Sequence, residues 1–222
     1  MLKSPQIHHS AQLCRLPRQM SNTFHRSETL SKVDPELFAV VQGNLIGRNA
    51  ANSGALGNGG NGVFEVMALD PSGNGSLRQI GKLPFTTDET SPSIMYDAGK
   101  VLVMASNGEL WKMDISGAAP TFSKVGLPDG DRNWSNMTVM ADGKVLITGG
   151  TSSGNNEAYA IKGASIWDPD TGTFSKVPPE SVPRVYHSTS VLLVDGTILS
   201  GGGGGTLGSD PTHQDIQIYK PP

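Results

Sequence analysis

Tyr186 and His187 stand side by side in the stretch R-V-Y-H-S-T-S-V-L-L-V-D-G-T-I-L-S-G-G-G-G-G. A phenolate oxygen and an imidazole nitrogen are donors that suit copper or iron better than magnesium or calcium. Neighbouring residues of a regular strand point to opposite faces, so such a pair can share one metal only at an irregular strand entrance. Pro183, just upstream, favours that irregularity. Taken alone, the dipeptide is weak evidence and fits a packed tyrosine beside an exposed histidine better. The glycine run Gly201 to Gly205 has no Lys-Ser/Thr after it and no following helix, which excludes a phosphate loop. Cys14 is the single cysteine, so no internal disulfide can form.

The elements that must carry this pair are short strands. Val191 to Val194 form an apolar, β-prone run, Asp195-Gly196 signals a hairpin, and Thr197 to Leu199 resume the strand. The same order recurs upstream. It reads L-F-A-V-V-Q-G-N-L-I-G over Leu37 to Gly47, S-I-M-Y-D-A-G-K-V-L-V-M over Ser93 to Met104, and M-T-V-M-A-D-G-K-V-L-I-T-G-G over Met137 to Gly150. Each copy is followed by a further strand, such as E-L-W-K-M-D-I-S-G, S-I-W-D-P-D-T-G-T-F or D-I-Q-I-Y-K-P-P. The turn glycines Gly43, Gly99, Gly143 and Gly196 recur at intervals of about fifty residues, the period of kelch-type propeller blades. Helical periodicity is missing. The expectation is an all-β chain: a kelch-type β-propeller, partial, with about four blades of a larger ring. Residues 1–34 read as a leader outside the fold, and 35–222 as four blade-like units. The glycine- and asparagine-rich segment Gly47 to Gly62 reads as a surface loop.

Composition narrows the function classes. Hydrophobic residues make up 36% and charged residues 17%, with 28 glycines and a net charge of −3. There is no basic block to attract nucleic acid or an anionic membrane surface. No apolar run approaches the roughly 18 residues of a membrane helix. The first 30 residues carry His8, His9, Arg15, Arg18, His25 and Arg26 with no apolar core, unlike a secretory signal.

The stretch R-V-Y-H-S…L-L-V-D-G…G-G-G-G resembles the signature of the galactose oxidase and glyoxal oxidase family, the mononuclear copper-radical oxidases. D-R-N-W-S-N-M-T-V-M-A-D-G-K-V-L-I-T-G-G is similar to a neighbouring blade of that family, and D-I-Q-I-Y-K-P-P resembles the junction with its C-terminal domain. The likeness covers roughly Leu37 to Pro222. It implies that Tyr186 is an axial copper ligand and the base that takes the substrate's proton, and that His187 is one of two histidine ligands. It places Trp134 near the substrate and His213 beside the metal site. It further implies copper as cofactor, a small alcohol, aldehyde or carbohydrate as substrate, and a secreted or periplasmic location. The family's cross-linked tyrosine–cysteine pair and second histidine ligand find no counterpart in the sequence, Cys14 lying outside any strand pattern. The resemblance therefore implies an oxidase lineage with an incomplete catalytic set. The alternative from another class is a kelch-type module that binds a glycan or protein without redox chemistry.

Overall fold

The computed structural model describes residues 65–70, 76–87, 91–126, 128, 130–204 and 211–221. The expected leader and the first strand pair, Leu37 to Gly47, lie outside these residues. Thirteen strands are described, and the one helical element among the described residues is a 3-10 turn at Glu157–Tyr159. The strands form four antiparallel sheets, each a simple meander in chain order. The first pairs β1 (Glu65–Asp70) with β2 (Ser76–Lys82). The second holds β3 (Ser93–Asp97), β4 (Lys100–Met104), β5 (Leu110–Asp114) and β6 (Thr121–Gly126). The third holds β7 (Asn136–Val139), β8 (Val145–Thr148), β9 (Ala164–Trp167) and β10 (Phe174–Val177). The fourth holds β11 (Ser188–Leu192), β12 (Ile198–Gly202) and β13 (Ile216–Tyr219).

The repeated Asp-Gly does close the first hairpin of the third and fourth sheets, through a three-residue loop. Met140 N–H donates to the Lys144 carbonyl and Leu193 N–H to the Thr197 carbonyl, both at 2.8 Å. The aspartate oxygen caps the turn, Asp195 Oδ1 accepting from Thr197 N at 3.0 Å and Thr197 Oγ1 at 2.7 Å. The glycine takes the left-handed residue that such a loop needs, at φ +84° for Gly143 and +83° for Gly196. One expectation shifts in detail: β11 ends at Leu192, and Val194 sits fully exposed at the tip of the loop.

Strand alternation builds the core between sheets. In β4, Val101 and Val103 pack with Val66, Leu83, Met113 and Ile115 towards the first sheet. Leu102 and Met104, on the other face, meet Val145, Ile147 and Trp167 of the third sheet. Leu146 in turn packs with Ile166 and with Ile198 of the fourth. A strand buried on both faces reads as a continuous apolar run, and K-V-L-V-M and V-L-I-T do so. Trp167 is fully buried, with Tyr96 edge-on at a centroid distance of 4.9 Å.

The first strands of the second, third and fourth sheets lie against one another, β7 touching both β3 and β11. Asn136 Nδ2 donates to Ser188 Oγ at 2.8 Å, and Thr138 Oγ1 to Ser190 Oγ at 2.7 Å. Sheets in series, joined along their leading strands and packed face to face, are the architecture of a β-propeller.

Candidate functional site

The leading strands of the third and fourth sheets are each entered through a kink, and the kinks carry aromatic residues. Trp134 lies two residues before β7 at φ +62°, and His187 immediately before β11 at φ +65°. These are the two non-glycine residues with positive φ among those described. An L-residue in this region costs roughly 1–2 kcal/mol, and such strain persists where surrounding structure imposes it. At the second kink, Ser188 N–H donates to the Val185 carbonyl at 3.1 Å. Val185 to Ser188 thus form a four-residue turn with Tyr186 and His187 as its central pair. Positive φ at the third residue is where a type II turn places glycine.

The turn removes the alternation that would separate the two side chains. The Tyr186 and His187 rings lie 3.6 Å apart between centroids, tilted by 32°. Trp134 meets Tyr186 edge-on at 4.4 Å and 64°. Indole, phenol and imidazole therefore form one cluster at the mouth of the third and fourth sheets. Tyr186 and Trp134 are half-buried and His187 is exposed.

Two fully buried arginines hold the kinks in place. Arg132 donates from Nη2 to the Gly163 carbonyl at 2.9 Å. Arg184 donates from Nη1 to the Gly202 carbonyl at 2.7 Å and pairs with Asp215 at 3.2 Å. The Arg184 carbonyl accepts from Gly150 N at 2.6 Å. This approach requires glycine, because a Cβ on Gly149 would stand 2.5 Å from that carbonyl oxygen. Behind Arg184, the buried Glu180 bonds Ser200 Oγ. Burial pushes its carboxyl above the usual range, against the opposing pull of Ser200, Arg184 and Arg132.

His213 is tied to Glu157, its Nε2 lying 2.7 Å from Glu157 Oε1. Asn155 Oδ1 accepts from the Tyr186 backbone N–H at 3.2 Å. Cys14 lies outside the described residues. Sequence reasoning did not reach Arg132, Arg184, Glu180, Asn155 or Glu157. The arginine shortly before each kink aromatic, in D-R-N-W and P-R-V-Y-H, was the one signal that could have pointed to the anchors.

The donor types fit copper chemically: a half-buried phenol and an exposed imidazole on one turn. Among the described residues, no group of three or more His, Cys, Asp or Glu side chains could hold a metal ion. No described helix is long and apolar enough to cross a membrane.

No protein-family model matches the chain. Galactose oxidase of Gibberella zeae is 31% identical over 172 residues, which cover 68% of this chain and 25% of that protein. Aldehyde oxidase GLOX1 of Arabidopsis thaliana is 27% identical over 123 residues, covering 50% of this chain and 20% of its own length. The chain thus spans about a quarter or less of these relatives. A solved fungal alcohol oxidase of the AA5 family, in complex with copper, superposes with a TM-score of 0.63 at 30% identity. That match covers 71% of this chain and 36% of the oxidase. The structure of YjhT, 14% identical, shares the fold at a TM-score of 0.54 over 70% of this chain and 52% of its own.

Proposed function

Since the chain belongs to the galactose oxidase and glyoxal oxidase family of copper-radical oxidases, we propose that Tyr186 and His187 are copper ligands and that Tyr186 is also the base of an alcohol oxidation. The reaction is the conversion of a primary alcohol and dioxygen to an aldehyde and hydrogen peroxide. An aldehyde, as its hydrate, can be carried on to the acid in the same way. Copper, when bound, would supply one of the two one-electron couples that the oxidation needs, the other belonging to the family's cross-linked tyrosine–cysteine radical.

The observation that carries this reading is the turn at Val185 to Ser188, which sets a phenol and an imidazole 3.6 Å apart by holding His187 at φ +65°. Tyr186 would take the hydroxyl proton of a bound alcohol. His187 would supply the second protein donor to the metal. Trp134, edge-on to Tyr186, covers one side of the phenol and gives the substrate's carbon skeleton an apolar wall. The substrate class is a small alcohol, aldehyde or carbohydrate, and the setting is extracytoplasmic.

Two protein donors do not fix a copper centre, and a site needs its full ligand set and outer contacts to tune the metal. The 222 residues are therefore proposed to take up copper at this pair without turning over alcohol. Calorimetric titration with Cu(II) tests this, with Tyr186→Phe and His187→Ala each expected to weaken binding about tenfold or more. Copper uptake indifferent to both substitutions would overturn the reading and favour a glycan- or protein-binding module. Sustained peroxide release from these residues with a primary alcohol would overturn the claim that further ligands are required.

A further inference from the structure

The segment between β8 and β9 reaches Asn133 beside Trp134, the backbone of Tyr186, and the side chain of His213. It is closed on itself: Asn156 Oδ1 accepts from Ala158 N at 2.9 Å, and the Asn156 carbonyl accepts from Tyr159 N at 3.1 Å and Thr151 Oγ1 at 3.2 Å. Ile161 N–H returns to the Gly150 carbonyl at 2.8 Å, so both ends leave the sheet together. Thr151, fully buried, bridges Asn133 through paired backbone bonds of 2.9 and 2.8 Å, next to Trp134. Asn155 accepts the Tyr186 N–H at 3.2 Å. Glu157 holds His213, whose own N–H donates to the Gly203 carbonyl at 3.0 Å.

We propose that this segment, Thr151 to Ala160, is the positioning element of the site, with Asn155 setting the Tyr186–His187 turn and Glu157 fixing the return of the chain at His213. The inference rests on the copper reading of Tyr186 and His187. Tyr186 precedes β11, so its N–H has no ladder partner, and the Asn155 side chain takes that place. The peptide so fixed is Val185–Tyr186, whose Val185 carbonyl accepts from Ser188 N–H at 3.1 Å and closes the turn around the strained His187. Glu157 and His213 are each mostly buried, at 13% and 17% side-chain exposure, so their bond is shielded from competing water. A loop closed by its own hydrogen bonds passes a fixed spacing from Asn133 to Tyr186 and on to His213. None of these contacts requires Asn155 or Glu157 to touch substrate or metal.

The test uses the full chain and four variants: Asn155→Ala, Asn155→Asp, Glu157→Ala and Glu157→Gln. Amide hydrogen exchange at Tyr186 and Cu(II) affinity are read together, with the melting temperature as the control for folding. Asn155→Ala should speed Tyr186 exchange and weaken copper about tenfold, the scale seen when an outer contact to a ligand is removed. Asn155→Asp, which keeps the acceptor oxygen, should restore both. Glu157→Ala should weaken copper, and Glu157→Gln should recover part of the loss. Wild-type copper binding through Tyr186 and His187, left unchanged by both alanine variants, would overturn the inference alone. Failure of the wild type to bind through that pair would overturn the functional reading, and the inference with it.

Discussion

The left-handed conformation of His187 has a measurable consequence that separates strain from chemistry. At φ +65°, an L-residue carries roughly 1–2 kcal/mol of steric cost that glycine does not. Glycine returns part of this by loosening the unfolded chain, at about 0.5–1 kcal/mol. Both His187→Gly and His187→Ala delete the imidazole and its contact with Tyr186, so only the backbone term distinguishes them. The glycine variant should therefore be the more stable by about 0.5–1 kcal/mol. For a chain of this size that is roughly 1–4 °C in melting temperature. Urea unfolding followed by circular dichroism reads the same difference as a shift in midpoint at constant slope. Both variants should bind copper equally poorly. An alanine variant that melts at or above the glycine variant would refute the strain argument, and with it the reason given for the ring juxtaposition.

Trp167, fully buried between the second and third sheets, should cost about 3–5 kcal/mol when changed to alanine; denaturant unfolding checks this. Glu180→Gln should stabilise the protein at neutral pH, with the difference vanishing on acidification. Burial raises its folded-state pKa, so the stabilising protonated form is lost as pH rises through that value; melting curves from pH 4 to 8 read the trend. The outer face of the fourth sheet carries Val191, Ile216 and Ile218 at 46%, 62% and 45% exposure. It should promote self-association, which Val191→Thr with Ile218→Thr should reduce in light scattering behind a sizing column.

That last face shows how far the sequence could be read. Leu102, Leu146 and Leu199 occupy the same place after their turn glycines, and the first two pack against the following sheet. Period-two alternation and the recurring glycines made the sheets legible because both are local rules of the backbone. The irregular strand entrance at Tyr186-His187 was legible too, from an adjacent pair of donors and Pro183. What fixes that entrance was not. Asn155 finds Tyr186 across 31 residues and Glu157 finds His213 across 56, through a polar segment with no periodicity of its own. The Asp195-Gly196 hairpin was visible as a turn, but its three-residue loop depended on Leu193 and Thr197 closing it, which dipeptide composition does not encode. Arg132 and Arg184 are buried against all expectation for their type, because carbonyls of the same chain meet each guanidinium.

The most direct measurement is the visible and electron paramagnetic resonance spectrum of the Cu(II)-loaded chain, alongside Tyr186→Phe and His187→Ala. A phenolate-to-copper absorption band that vanishes in the first variant, with nitrogen hyperfine structure that changes in the second, is the predicted result. Spectra identical across all three proteins would contradict the assignment of this turn as a copper site.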